Sequence, residues 1–96
     1  MTGMDRGGAA RRSDGCGRPV IAIPLGRVAL AMARRGTPED QPETRQAACR
    51  RIRRAVAAHP FMVAGTGRFD TRVMKSTGEK ALIKTGAEGV YCASFP

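Results

Sequence analysis

The chain has no tryptophan, 4% aromatic residues and only three cysteines in 96 positions. Little aromatic material means that any core must come from Val, Ile, Leu, Met and Ala. The cysteines, Cys16, Cys49 and Cys92, are odd in number and form no Cys-x-x-Cys pair. That spacing argues against a disulfide framework and against a zinc knuckle made by this chain alone, so reduced thiols are expected. Long hydrophobic runs are missing too. Apolar stretches, such as Val20 to Leu25 with its Pro24, run to about six residues at most, whereas a bilayer-spanning helix needs roughly 20 apolar residues. Arg-rich and Gly-rich residues 1–12 have no apolar block behind them and do not read as a secretory signal, which places the expected location in the cytoplasm.

What is abundant is positive charge. Net charge is +9, with 14 Arg against three Lys (Lys75, Lys80 and Lys84). This balance permits polyanion binding, although Arg scattered over solvated faces is the favoured account of it. Twelve Gly and six Pro rule out one long coiled coil. A chain this short buries only roughly 60–65% of its unfolded surface, so modest stability is expected.

Residues 1–13 show no apolar period and read as a flexible basic arm, with one domain over 14–96. The β-branched start of Val20–Leu25 predicts an extended segment. Leu25, Val28, Ala29 and Met32 then fall at helical spacing, with Pro24 near the first turn and Gly36 after Arg34-Arg35. A second helix is predicted from Pro42-Glu43 to Ala58, its apolar stripe formed by Ala48, Ile52, Ala55 and Val56 around a buried Ile52. His59-Pro60 ends it, because a residue before proline is pushed out of the helical region. Phe61–Ala64 reads as an apolar link. Asp70 suits the N-cap of a brief helix holding Val73 and Met74 before Gly78. Lys80–Lys84 and Val90–Phe95 read as strands joined through Gly86-Ala87-Glu88-Gly89. Two to three helices followed by a short C-terminal antiparallel strand pair make an α+β arrangement, with the strand pair ending uncovered at Phe95-Pro96.

Arg50-Arg51-Ile52-Arg53-Arg54 offers forked contacts to phosphates, the basis of an alternative reading as a small nucleic-acid-binding module. No aromatic platform accompanies it. His59 has no evident catalytic partner and reads as structural. Cys49, among arginines, reads as semi-exposed, and Cys92 as inert core. Asp14-Gly15-Cys16-Gly17 sets a carboxylate and a thiol two positions apart with permissive glycines, which suits either half of a metal or substrate pocket or a tight turn. Lys84-Thr85-Gly86 at a strand end is one element of the serine β-lactamase and penicillin-binding-protein signature, whose other element is a Ser-x-x-Lys nucleophile. None of Ser13, Ser76 or Ser94 has a lysine three residues on.

Taken in order, Asp14-Gly15-Cys16-Gly17-x-Pro19, His59-Pro60 with Val63-Ala64-Gly65-Thr66-Gly67-Arg68, and Lys84-Thr85-Gly86-Ala87-Glu88-Gly89-Val90-Tyr91 closely resemble the bacterial L-asparaginase II family. The resemblance implies a partial serine β-lactamase-like fold and hydrolysis of L-asparagine to L-aspartate and ammonia through a serine–lysine nucleophile. It implies Lys84 as the activating lysine, Cys16 as one ligand of a zinc ion, and Asp14, Gly86 and Glu88 as substrate contacts. Without a Ser-x-x-Lys segment the chain reads as an asparaginase fragment cut at both ends and inactive alone, open to complementation by a separate N-terminal half.

Overall fold

The computed structural model describes residues 1–5 and 7–96. Two antiparallel strand pairs and four α-helices are present among them: β1 (Arg11–Ser13), β2 (Pro19–Ile21), α1 (Leu25–Gly36), α2 (Glu43–Ala58), α3 (Phe61–Ala64), α4 (Phe69–Thr77), a 3-10 turn (Gly78–Lys80), β3 (Leu82–Thr85) and β4 (Tyr91–Ser94). The α+β class is as expected. The helices exceed the expected two to three, because Phe61–Ala64 closes one helical turn and is not an extended link. Inside the segment read as an arm, Arg11–Ser13 pair with Pro19–Ile21 in the register Arg11↔Ile21, Arg12↔Val20 and Ser13↔Pro19.

Prolines and glycines set the helix limits. Pro24 and Pro42 stand at the N-caps of α1 and α2, where a missing N–H costs nothing, and His59 closes α2 by donating its N–H to the Ala55 carbonyl. α1 ends at Gly36, which has a specific packing reason. A Cβ there would lie 2.6 Å from the Ser94 hydroxyl and 2.7 Å from the Phe95 carbonyl oxygen. Ser94 itself donates to the Met32 carbonyl at 2.7 Å. The end of α1 is thereby stitched to β4.

The β3–β4 pair is the centre of the fold, in the register Leu82↔Ser94, Ile83↔Ala93, Lys84↔Cys92 and Thr85↔Tyr91. α1 packs on β4, while α2, α3 and α4 pack towards β3 and the 3-10 turn. Buried apolar side chains are few: Cys49, Met74, Ala81 and Leu82. Leu25, Met62, Phe69 and Phe95 are each at least 60% exposed. Total accessible surface is 6940 Å², against about 5300 Å² for a compact protein of 10.2 kDa. The radius of gyration, 14.4 Å, likewise exceeds the roughly 12.5 Å of a compact chain of this length.

The packed face of α2 differs from the expected stripe. Cys49 is buried and Arg53 and Val56 are half-buried, whereas Ala48, Ile52 and Ala55 are exposed. The face is rotated by about one residue because Arg53 points inward. Its guanidinium donates to the Gly36 carbonyl at 3.1 Å and lies 3.7 Å from the Glu79 carboxylate. Reading only apolar letters hides a face on which an arginine is a packing residue. Cys49 is therefore not semi-exposed, and Cys92 is half-buried. No described helix is long and apolar enough to cross a membrane.

Candidate functional site

Two hairpin tips carry the residues singled out from the sequence. At the first, Asp14 holds the turn between β1 and β2: its Oδ1 accepts the N–H groups of Cys16 at 2.9 Å and Arg18 at 2.8 Å. Gly17 follows at a positive φ of 74°. The local sequence folds this way because aspartate captures the backbone N–H two residues on and glycine accepts the left-handed conformation. Cys16 is fully on the surface at this tip. Of the two readings of this motif, the tight turn is formed.

The second tip carries Lys84, Gly86 and Glu88. Lys84 is exposed at the penultimate position of β3, and its ammonium donates to the Thr85 carbonyl. Gly86 donates its N–H to the Val90 carbonyl at 2.7 Å and closes the pairing beyond the strand ends. A Cβ at Gly86 would sit 3.2 Å from the Val90 Cβ, so glycine permits this close approach. The chain then reverses through Glu88 and Gly89, at φ 56° and 75°, with Val90 donating to the Ala87 carbonyl. Two successive positive φ values are the signature of the mirror-image turn whose twist matches a hairpin. Glu88 is thus held at the apex, exposed, in a conformation uncommon for a residue with a side chain.

Beneath this tip lies Asp70, which sequence reasoning placed at the wrong helical position. Arg68 occupies the N-cap of α4, and Asp70 is the second helical residue. Only 1% of it is exposed. Its Oδ2 accepts both the Thr85 N–H at 2.9 Å and the Thr85 hydroxyl at 2.6 Å. These bonds, the hydroxyl first, hold the Asp70 carboxyl below the usual carboxylate range against the opposing effect of burial. Phe69, the preceding residue, meets the Tyr91 ring edge-on at 6.0 Å between centroids. Thr71, the next, donates to the Gly65 carbonyl at 2.6 Å. The first turn of α4 therefore grips β3 and β4 at the end that bears Lys84. The signal for this was the acceptor Asp70 itself, but its donor is 15 residues away and no local pattern reveals it.

The structure brings Lys84, Gly86 and Glu88 together on one hairpin and sets Asp14 and Cys16 on the other. No hydrogen bond or ion pair among the described residues joins the two tips. Zinc requires about four ligands. Cys16 has near it a carboxylate already accepting two N–H bonds, and no group of three or more His, Cys, Asp or Glu among the described residues is placed to hold a metal. The described residues therefore do not make a zinc site, and no chemistry is routed through one.

Ser94 is buried and donates to Met32, Ser76 donates to the Val73 carbonyl at 2.8 Å, and Ser13 stands on the exposed strand β1. The arginine cluster of α2 is also partly committed within the chain. Arg50 bonds Gln46 at 2.8 Å and lies 3.9 Å from Glu39, and Arg53 turns to Gly36 and Glu79.

Against known protein families, the model described as L-asparaginase II matches the chain over residues 1–96. The chain belongs to the L-asparaginase II family. The match takes in the β1–β2 hairpin and residues 1–13 as well as the Lys84 hairpin. No curated protein matches it. In this asparaginase-family chain, the Lys84-Thr85-Gly86 residues lie on the hairpin whose Thr85 is bonded to Asp70.

Proposed function

We propose that this chain supplies the lysine-bearing strand of a site that hydrolyses L-asparagine to L-aspartate and ammonia, and that it does so within a serine β-lactamase-like architecture. Family membership supports this substrate and reaction class. The observation that carries the assignment to residues is the β3–β4 hairpin end, where Lys84 is solvent-accessible, Thr85 is fixed by a buried carboxylate, and Gly86 brings two backbones close. In this reading Lys84 acts as its neutral amine and accepts the proton of a serine hydroxyl as that oxygen attacks the side-chain amide carbon of asparagine. The same proton passes to the departing ammonia as the C–N bond breaks, and water, giving a proton to the same amine, then cleaves the acyl-serine ester to release L-aspartate and restore the hydroxyl. Gly86 and Glu88 contact the substrate at the apex, and Asp14 does so from the other hairpin.

The serine is the group this chain does not supply. Ser-x-x-Lys does not occur in it, and the hydroxyls of Ser76 and Ser94 are donated to carbonyls. A lysine accelerates serine attack only within hydrogen-bond reach of the hydroxyl, so in this reading the nucleophile comes from a docked segment outside these 96 residues. Exposed apolar side chains near the hairpin, Phe69, Val90 and Tyr91, support such docking. The purified chain alone should release no ammonia from L-asparagine above the buffer rate. Ammonia release that disappears in Lys84→Ala would show that the chain holds a complete site and would refute the shared-site reading.

A further inference from the structure

We propose that Asp70 is a positioning residue for Lys84: by anchoring Thr85 through both its N–H and its hydroxyl, it fixes the direction in which the strand end presents the lysine and Gly86. This rests on the asparaginase reading of Lys84 given above. Pairing within a strand alternates, so neighbouring N–H groups point to opposite edges. Gly86 donates towards β4, to Val90, and the Thr85 N–H therefore points to the outer edge of β3, where Asp70 receives it. The edge of β3 is closed at this one residue by a side chain, immediately between the lysine and the glycine. Rotation of the Lys84–Thr85 peptide would break the N–H bond to this charged acceptor, while the hydroxyl bond ties the Thr85 side chain to the same oxygen.

The second observation is the other carboxylate oxygen. Asp70 Oδ1 is buried and has no hydrogen-bond partner among the described residues. A half-paired buried carboxylate is a costly joint, since desolvation penalises each unpaired polar atom. A fully satisfied neutral side chain would connect α4 to β3 at lower cost. What the carboxylate provides is a single acceptor oxygen strong enough to hold two donors of one residue, which pins that residue's orientation as well as its distance. Phe69 against Tyr91 and Thr71 against Gly65 hold the helix turn from which Asp70 projects, so the anchor does not swing.

The test uses the full chain labelled with nitrogen-15, as wild type, Asp70→Asn, Asp70→Ala and Thr85→Val. Amide hydrogen exchange is measured residue by residue, and L-aspartate, the product of the proposed reaction, is added as probe. Asp70→Ala should speed exchange at Thr85 and Gly86 by about 10- to 100-fold, the opening penalty of bonds to a charged acceptor, with α1 and α2 unchanged. Asp70→Asn, which keeps an acceptor for the N–H, should restore most of the protection. Thr85→Val, which loses only the hydroxyl, should fall between them and serves if Asp70→Ala fails to fold. In wild type the Thr85 amide shift should also follow one titration below the usual aspartate range, and that titration should vanish in Asp70→Asn. Shifts at Lys84–Val90 on adding L-aspartate that are weakened in Asp70→Ala complete the expected result. If Thr85 exchange changes no more than that of α1, or if L-aspartate causes shifts that are the same size in wild type and Asp70→Ala, the positioning role is overturned. Absence of any L-aspartate response in wild type would instead overturn the assignment of Gly86 and Glu88 as substrate contacts that work without the serine-bearing segment, leaving the exchange data to judge the anchor itself.

Discussion

Gly36→Ala is the sharpest test of how the helical layer is joined to the strands. A Cβ at this position would stand 2.6 Å from Ser94 Oγ and 2.7 Å from the Phe95 carbonyl oxygen, distances that no real Cβ contact tolerates. One of these atoms is backbone, so rotating a side chain cannot relieve the clash. Overpacking of this kind costs about 1–3 kcal/mol. Displacing Ser94 also strains its bond to the Met32 carbonyl, a loss of about 1 kcal/mol. Against this, alanine gains up to about 1 kcal/mol over glycine in a helix, and less at the last residue. The net expectation is a destabilisation of about 1–3 kcal/mol, which in a chain this size lowers Tm by about 5–20 °C. Gly26, in the first turn of the same helix, has nothing within 4 Å of its virtual Cβ. Gly26→Ala should therefore leave Tm unchanged or raise it. Because Ser94 Oγ is one of the two obstructing atoms, Gly36→Ala with Ser94→Ala should cost less than the sum of the single changes. Thermal melts followed by circular dichroism decide the matter. A Gly36→Ala protein melting at or above wild type would refute the reasoning, because it would mean that α1 and β4 do not meet as closely as described.

Three further expectations follow from other joints. The Asp70 carboxyl is held below its ordinary value in the folded chain, chiefly by the Thr85 hydroxyl, so its contribution to stability is full above the unfolded aspartate range and is lost as pH falls through the folded value; urea midpoints measured from pH 6 to pH 2 should fall in wild type and fall less steeply in Asp70→Asn, and parallel curves would refute it. A thiol reagent should modify the exposed Cys16 first, the half-buried Cys92 more slowly, and the buried Cys49 only as the fold opens; simultaneous labelling of all three under native conditions, read by mass spectrometry, would contradict the burial order. Arg53→Gln should destabilise by about 1 kcal/mol through loss of the Gly36 carbonyl bond, while Arg51→Gln on the exposed side should stay within about 0.5 kcal/mol of wild type; equal melts for the two variants would show that Arg53 has no packing role.

The parts of the fold visible in the sequence are those with local causes. α1 follows from an apolar period closed by Pro24 and Gly36, and α2 from Pro42 at one end and His59-Pro60 at the other. The β3–β4 hairpin follows from its glycines and β-branched residues, which is why Lys84, Gly86 and Glu88 were placed on one tip. The β1–β2 pairing had no such signal, since Arg11, Arg12 and Pro19 neither alternate nor favour a strand. Ile52 was expected inside and is 45% exposed. Which neighbour of Ile52 faces the core depends on Glu79 and the Gly36 carbonyl, groups on other elements that meet Arg53 only after folding. Asp70 is the same kind of case at the candidate site. An acid in the first turn of a helix reads as a cap, and only the position of Thr85 in three dimensions turns it into a strand anchor.

With 6940 Å² still accessible after folding, the chain is expected to be unusual in a calorimeter. An unfolded chain of 10.2 kDa exposes about 14,800 Å², so folding hides just over half of it, where a compact protein of that mass hides nearly two-thirds. Heat-capacity increment and denaturant slope both scale with newly exposed area, and each should be about a sixth smaller than its length implies. Unfolding in urea would spread over a wider concentration range, and the stability curve would be flatter with temperature. A second polypeptide covering the apolar rim would restore the missing increment, so that assembly would register as a sharpening of the unfolding transition as well as a rise in its midpoint.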